Sequence, residues 1–121
     1  MNIHNTISKI CNLAEQFKQS EHKSFKQMLM EIDSREKLAA IEINDIRDYL
    51  KNKTSLIESW FLYSMDKRTG EGWYLMGDDK AKYKVGYLCK GCAREQEEYS
   101  DAAHACAVFI HKELMEMLGK R

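Results

Sequence analysis

An α+β fold is what this sequence predicts: N-terminal helices, a three-stranded antiparallel meander, and a long C-terminal helix packed on the sheet. Three observations carry that reading. Before Thr54 the apolar residues recur with helical spacing. From Leu56 to Tyr87 large aromatic and branched residues come in short runs divided by glycine-bearing turns. From Tyr99 onward an alanine-rich apolar stripe returns to the helical period.

The first helical stripe is Ile3, Ile7, Ile10, Ala14 and Phe17, widened by Cys11 and Leu13. Polar residues Gln19 to Lys23 interrupt it. Ser24 and Gln27 have the spacing of a capping box, and Phe25, Met28, Leu29 and Ile32 form a second stripe. Ser34 is the next candidate cap. Leu38, Ile41, Ile43, Ile46 and Leu50 then continue helically, with a break expected near Asn44. Proline is absent, so no residue forces a helix to stop.

At Thr54 the texture changes. The run Leu56 to Met65, aromatic and rich in large apolar residues, is expected to be a strand. Asp66-Lys67-Arg68-Thr69-Gly70 supplies a turn, Trp73-Tyr74-Leu75-Met76 the returning strand, and Gly77-Asp78-Asp79 a second turn. Lys82 to Tyr87 alternates with period two, as a strand with one wet face does. After Cys92 the chain is expected to be helical, with Tyr99, Ala103, Cys106, Ile110, Leu114 and Met117 as its stripe. Ala102, Ala105 and Ala107 would permit a close approach to the sheet, and Gly119 is placed to end the helix. A chain of 121 residues is too short for two good cores, so one domain over residues 1–121 is expected.

Charge narrows the function classes. Nineteen Lys plus Arg balance nineteen Asp plus Glu, for a net charge of zero. A nucleic-acid binder draws its affinity from a basic excess facing phosphates, so no nucleic-acid partner is expected. Lys80, Lys82 and Lys84 do alternate with tyrosines, but the alternation puts Lys82 and Lys84 on one face and Tyr83, Val85 and Tyr87 on the other. A single-strand binder needs both on one face. A solvated edge strand with buried tyrosines fits better. Met1-Asn2-Ile3-His4-Asn5 has no basic region leading into an apolar run. No stretch approaches the roughly 20 apolar residues of a membrane span. A cytoplasmic protein with no membrane partner is expected, its cysteines reduced.

Cys89-Lys90-Gly91-Cys92 is the sharpest local motif, since that spacing lets two thiolates reach one zinc ion. Two further ligands are needed, and His104, Cys106 and His111 follow. On one helix Cys106 and His111 diverge by about 140°, and His104 and His111 lie about 10 Å apart along the axis. Only one of them converges with the cysteines, with His4 or His22 as a fourth. A thioredoxin-like role is disfavoured by the meander context. A Cys92–His104 nucleophile pair lacks an orienting third group, and Gly70 and Gly72 lack the Lys-Ser or Lys-Thr that continues a phosphate loop. Cys106 reads as a small core residue. No cofactor, no metal and no catalytic residue is therefore expected; the alternative is a zinc-stabilised domain or thiol-dependent enzyme centred on Cys89 and Cys92.

Glu95, Glu97, Glu98 and Asp101 are expected at the start of the last helix, where carboxylates favour the macrodipole. Four in so short a stretch exceed what capping needs. With Asp78 and Asp79 they could face a basic partner. Trp60, Trp73 and Tyr74 are hot-spot residue types wherever they are exposed.

The strand–turn–strand expected from Trp60-Phe61-Leu62-Tyr63-Ser64-Met65-Asp66-Lys67-Arg68 to Gly72-Trp73-Tyr74-Leu75, followed by the helix Ala102 to Ile110, resembles small bacterial immunity proteins of contact-dependent growth inhibition and other polymorphic toxin systems. The likeness covers the second half of the chain and lies in texture and element order. It implies a cytoplasmic, non-enzymatic inhibitor that binds one cognate toxin domain, often a nuclease, and masks its active site. Asp78, Asp79, Glu95, Glu97, Glu98, Asp101, Trp73 and Tyr74 are the partner-binding residues expected on charge and aromatic content.

Overall fold

The computed structural model describes residues 3–19, 25–67, 72–77, 82–89 and 92–119. Helices α1 (Ile3–Cys11), α2 (Leu13–Gln19), α3 (Phe25–Met30), α4 (Arg35–Ala39), α5 (Ile43–Leu50) and α6 (Thr54–Lys67) come first. Strands β1 (Gly72–Gly77), β2 (Tyr83–Cys89) and β3 (Cys92–Tyr99) follow, then helix α7 (Ala102–Met117). The sheet order is β1-β2-β3, with both pairs antiparallel. The class is α+β, and the C-terminal helix packs on the sheet.

Local chemistry sets several helix boundaries. The stripe of α1 and α2 buries Ile7, Ile10, Cys11, Leu13 and Ala14. Between the two helices Asn12 turns its side-chain amide onto the Ser8 carbonyl at 2.7 Å. The Ser34 hydroxyl caps α4 by accepting from the Lys37 N–H at 3.3 Å. The Asp45 carboxylate accepts from the Glu42 N–H at the start of α5, so the expected break falls just before Asn44. Asp101 caps α7 through the Ala103 N–H at 3.2 Å. Gly119, with φ at +76°, lies just beyond its end, in the left-handed conformation glycine tolerates best.

Helix α7 is the centre of the molecule. It touches all three strands on one side and α4, α5 and α6 on the other. Every residue from Ala105 to Ile110 is buried. A helix apolar on all sides is what a position between two layers demands. Ala103, Ala105 and Ala107 keep its backbone close to its neighbours, and Cys106 is a wholly buried core residue.

Three expectations change. Leu56 to Met65 is helix, not strand. Leu56, Ile57, Trp60 and Ser64 face inward at helical spacing, while Leu62 and Met65 stay exposed. Exposed Leu62 and Met65 and a serine on the inner face obscured the period. The likeness drawn from Trp60 to Leu75 therefore spans a helix and a strand rather than two strands. Second, the meander lies one element later, and Cys92 to Tyr99 is its third strand rather than loop and helix. Third, β2 is the middle strand, so Lys82 and Lys84 do not mark an edge. Its alternation holds: Tyr83, Val85 and Tyr87 pack toward the core, and the Lys84 ammonium lies 4.0 Å from Glu98 on the other face. Ser24, His22, Arg68 to Gly70, Asp78, Asp79, Lys80, Lys90 and Gly91 lie outside the described residues.

Candidate functional site on the outer sheet face

Alternation along β1 sends Trp73 and Leu75 toward α7, and Tyr74 and Met76 to the opposite face. Tyr74 pairs with Gly86, and its ring crosses the sheet over that glycine. A Cβ at Gly86 would lie 2.5 Å from the Tyr74 oxygen, so glycine is what admits the ring. Beyond it the Tyr74 hydroxyl donates to Oε1 of Gln96 on β3 at 2.5 Å. Burial raises the Tyr74 hydroxyl pKa.

A bulge brings Gln96 there. Val85 pairs with Glu97 and Tyr87 with Arg94, so Gly86 alone faces both Glu95 and Gln96. Glu95 takes the left-handed backbone at φ 53°, unusual outside glycine.

Helix α6 packs against β1 from the side away from β2. The Leu75 N–H donates to the Ser64 hydroxyl at 2.7 Å, which satisfies a backbone donor of the edge strand. Between α6 and the outer face lies a groove of about 470 Å³, lined chiefly by Phe61, Met65, Tyr74, Met76 and Leu88, with Gln96 at its polar end. Met65 and Met76 are 54% and 45% exposed. Among the described residues the lining holds no carboxylate, imidazole or thiol.

The expected site residues divide. Tyr74 floors the groove. Glu98 points from β3 to the same face, where it meets Lys84. Glu97 pairs with Val85 and belongs to the other face, close enough to Tyr99 to help raise its hydroxyl pKa after burial. Glu95, Glu97 and Glu98 are all exposed on a strand, so the macrodipole account applies to Asp101 alone. Trp73 is core: it stacks edge-on against Tyr87 at 5.1 Å under the Lys112 ammonium and presents little surface. Trp60 is likewise buried, on α6. Phe61, Met65, Met76, Leu88 and Gln96 escaped the sequence reading. Gly86, inside an alternating strand, was the one local sign of a close approach.

Cys89 and Cys92 stand opposite one another as the last pair of the β2–β3 ladder. All four cysteines are free thiols. Cys106 lies in the core beside Cys11, His104 packs its ring on Tyr99 at 5.0 Å, and His111 bonds the Ile41 backbone. No cluster of three potential ligands occurs among the described residues. None of the helices described is long and apolar enough to cross a membrane. Compared with known proteins, the chain matches no protein-family model, no curated protein and no solved structure.

Proposed function

We propose that this chain is a non-enzymatic binding protein that neutralises a cognate toxin domain in the bacterial cytoplasm by masking its active site. The observation that carries the reading is the pairing of an exposed apolar groove with the carboxylate-bearing strand β3 along the same sheet. Methionine and aromatic side chains supply desolvatable contact area, and a polar rim supplies specificity. Exposed Glu95, and Glu98 on the face of the groove, call for a basic partner. A nuclease fits that description, since its cleft must attract a polyanion.

Native mass spectrometry of the tagged protein recovered from its source cells tests the reading. A complex with one stoichiometric protein partner is expected. A mass raised by one zinc ion, with no partner, overturns it in favour of a Cys89–Cys92 centre. In the complex, Glu95→Gln and Glu98→Gln together should slow association and flatten its salt dependence, and Glu97→Gln, on the other face, should change it less. Asp101 is better tested as Asp101→Asn, because asparagine still caps α7.

A further inference from the structure

Cys89 and Cys92 are separated by two residues in sequence and directly opposed in the ladder. Opposed residues of an antiparallel pair have Cα atoms about 4.5–5.5 Å apart, within the span of about 4.4–6.8 Å that a disulfide bridges. Their Cβ atoms lie about 4.5–5.5 Å apart, where a disulfide needs about 3.5–4.5 Å. Closure thus draws the two side chains together by about 1–2 Å, between the pair Leu88 with Ala93 and the two residues that join the strands. Cys92 is exposed and Cys89 partly so, which leaves both within reach of a small oxidant. Cys11 and Cys106 offer a contrast within the same chain. Both are buried, and burial pushes the Cys11 thiol up to about 12 and raises that of Cys106 as well.

We propose that Cys89 and Cys92 are a redox-active dithiol that closes into a cross-strand disulfide at the joined end of the β2–β3 hairpin, either side of its two-residue connection. With glutathione disulfide as oxidant, the Cys92 thiolate attacks one of its sulfurs and expels a glutathione thiolate, which leaves a mixed disulfide on Cys92. Cys89 then gives up its proton, and its thiolate attacks the Cys92 sulfur and expels the second glutathione. Two protein thiols are oxidised, and one glutathione disulfide is reduced to two glutathione molecules. The modest approach that closure requires keeps the bond reducible, so the step is reversible.

The consequence for the fold follows from register. The bond fixes Cys89 opposite Cys92, and with it the pairs Leu88–Ala93 and Tyr87–Arg94 on the hairpin side of the bulge. That register sets Gln96 where Tyr74 meets it. Oxidation therefore restrains the strand that forms the polar end of the groove.

The test uses the native full-length protein in a series of reduced and oxidised glutathione ratios, quenched by alkylation and read by intact mass and peptide mapping. The expected product is two hydrogen atoms lighter than the reduced protein and linked Cys89 to Cys92, with Cys11 and Cys106 alkylated only after denaturation. In Cys89→Ser the glutathione adduct on Cys92 should outlive the wild-type adduct by at least about tenfold, because the resolving thiol is gone. A persistent wild-type adduct without closure overturns the proposal, as does oxidation that reaches Cys11 or Cys106 first, or none across the series. Should the serine variant misfold, the wild-type series decides alone.

Discussion

Tyr74 and Gln96 are joined across the width of the sheet: the phenol on β1 passes over Gly86 on β2 and donates to the amide oxygen on β3 at 2.5 Å. The bond exists because β2 has no side chain at the crossing and β3 has a bulge opposite it. Gly86→Ala should expel the ring and destabilise the protein by about 1–3 kcal/mol, as overpacking does. In a Tyr74→Leu background the same substitution should cost markedly less. Urea denaturation of the four-protein cycle measures the difference, and equal costs in both backgrounds would dismiss the contact.

Glu95 occupies the left-handed position of that bulge, where a side chain is strained. Glu95→Asn, a residue that tolerates this backbone, is expected to raise stability by about 0.5–1 kcal/mol. A fall in the denaturation midpoint would count against the bulge geometry.

Trp60 ties α6 to the first helices by donating its indole N–H to the Cys11 carbonyl at 2.9 Å, within the core. Its ring also meets Tyr63 and Phe109 edge-on. Trp60→Phe keeps much of the packing but strands the carbonyl, at a cost of about 1–3 kcal/mol. Trp60→Ala should cost about 3–5 kcal/mol. Both are read from chemical denaturation followed by circular dichroism.

Ser64 is a buried hydroxyl on α6, and the Leu75 N–H is its donor. Ser64→Ala improves helix propensity yet should lower stability by about 1–3 kcal/mol, since a buried edge-strand donor loses its acceptor. The Leu75 amide should also exchange its hydrogen faster in the variant, which amide exchange by NMR would show.

Acid should act on the fold in two separate windows. Desolvation lowers the His111 pKa, against a hydrogen bond to the Ile41 backbone. The unfolded chain therefore takes the proton first. The contribution of His111 is complete above about pH 6.5 and declines as pH falls toward its folded value. Asp33 is held below the ordinary carboxylate range by the Thr6 hydroxyl at 2.7 Å and the Ser34 N–H at 2.8 Å. Its contribution is present above about pH 4 and is lost below that, as pH falls through its folded value. His111→Gln should flatten the upper part of the stability–pH curve, and Asp33→Asn the lower part.

Local pattern by itself determined the α+β class and the helices up to Leu50. It also determined the cap at Ser34, the stop at Gly119, the two-faced strand Lys82 to Tyr87 and the core place of Cys106. Each depends on the side-chain period or on a cap within one turn, which neighbouring residues decide among themselves. Tertiary structure decided the rest. Leu56 to Met65 has apolar residues on every face and became helix because Leu56, Ile57, Trp60 and Ser64 together meet the core and the β1 edge. Cys92 to Tyr99, rich in helix formers, became strand because β2 exposes a second row of backbone donors and acceptors that a partner must satisfy. The groove has the same origin. Phe61, Tyr74, Leu88 and Gln96 come from four elements, and no spacing along the chain encodes a surface that forms only when a helix, a glycine and a bulge meet.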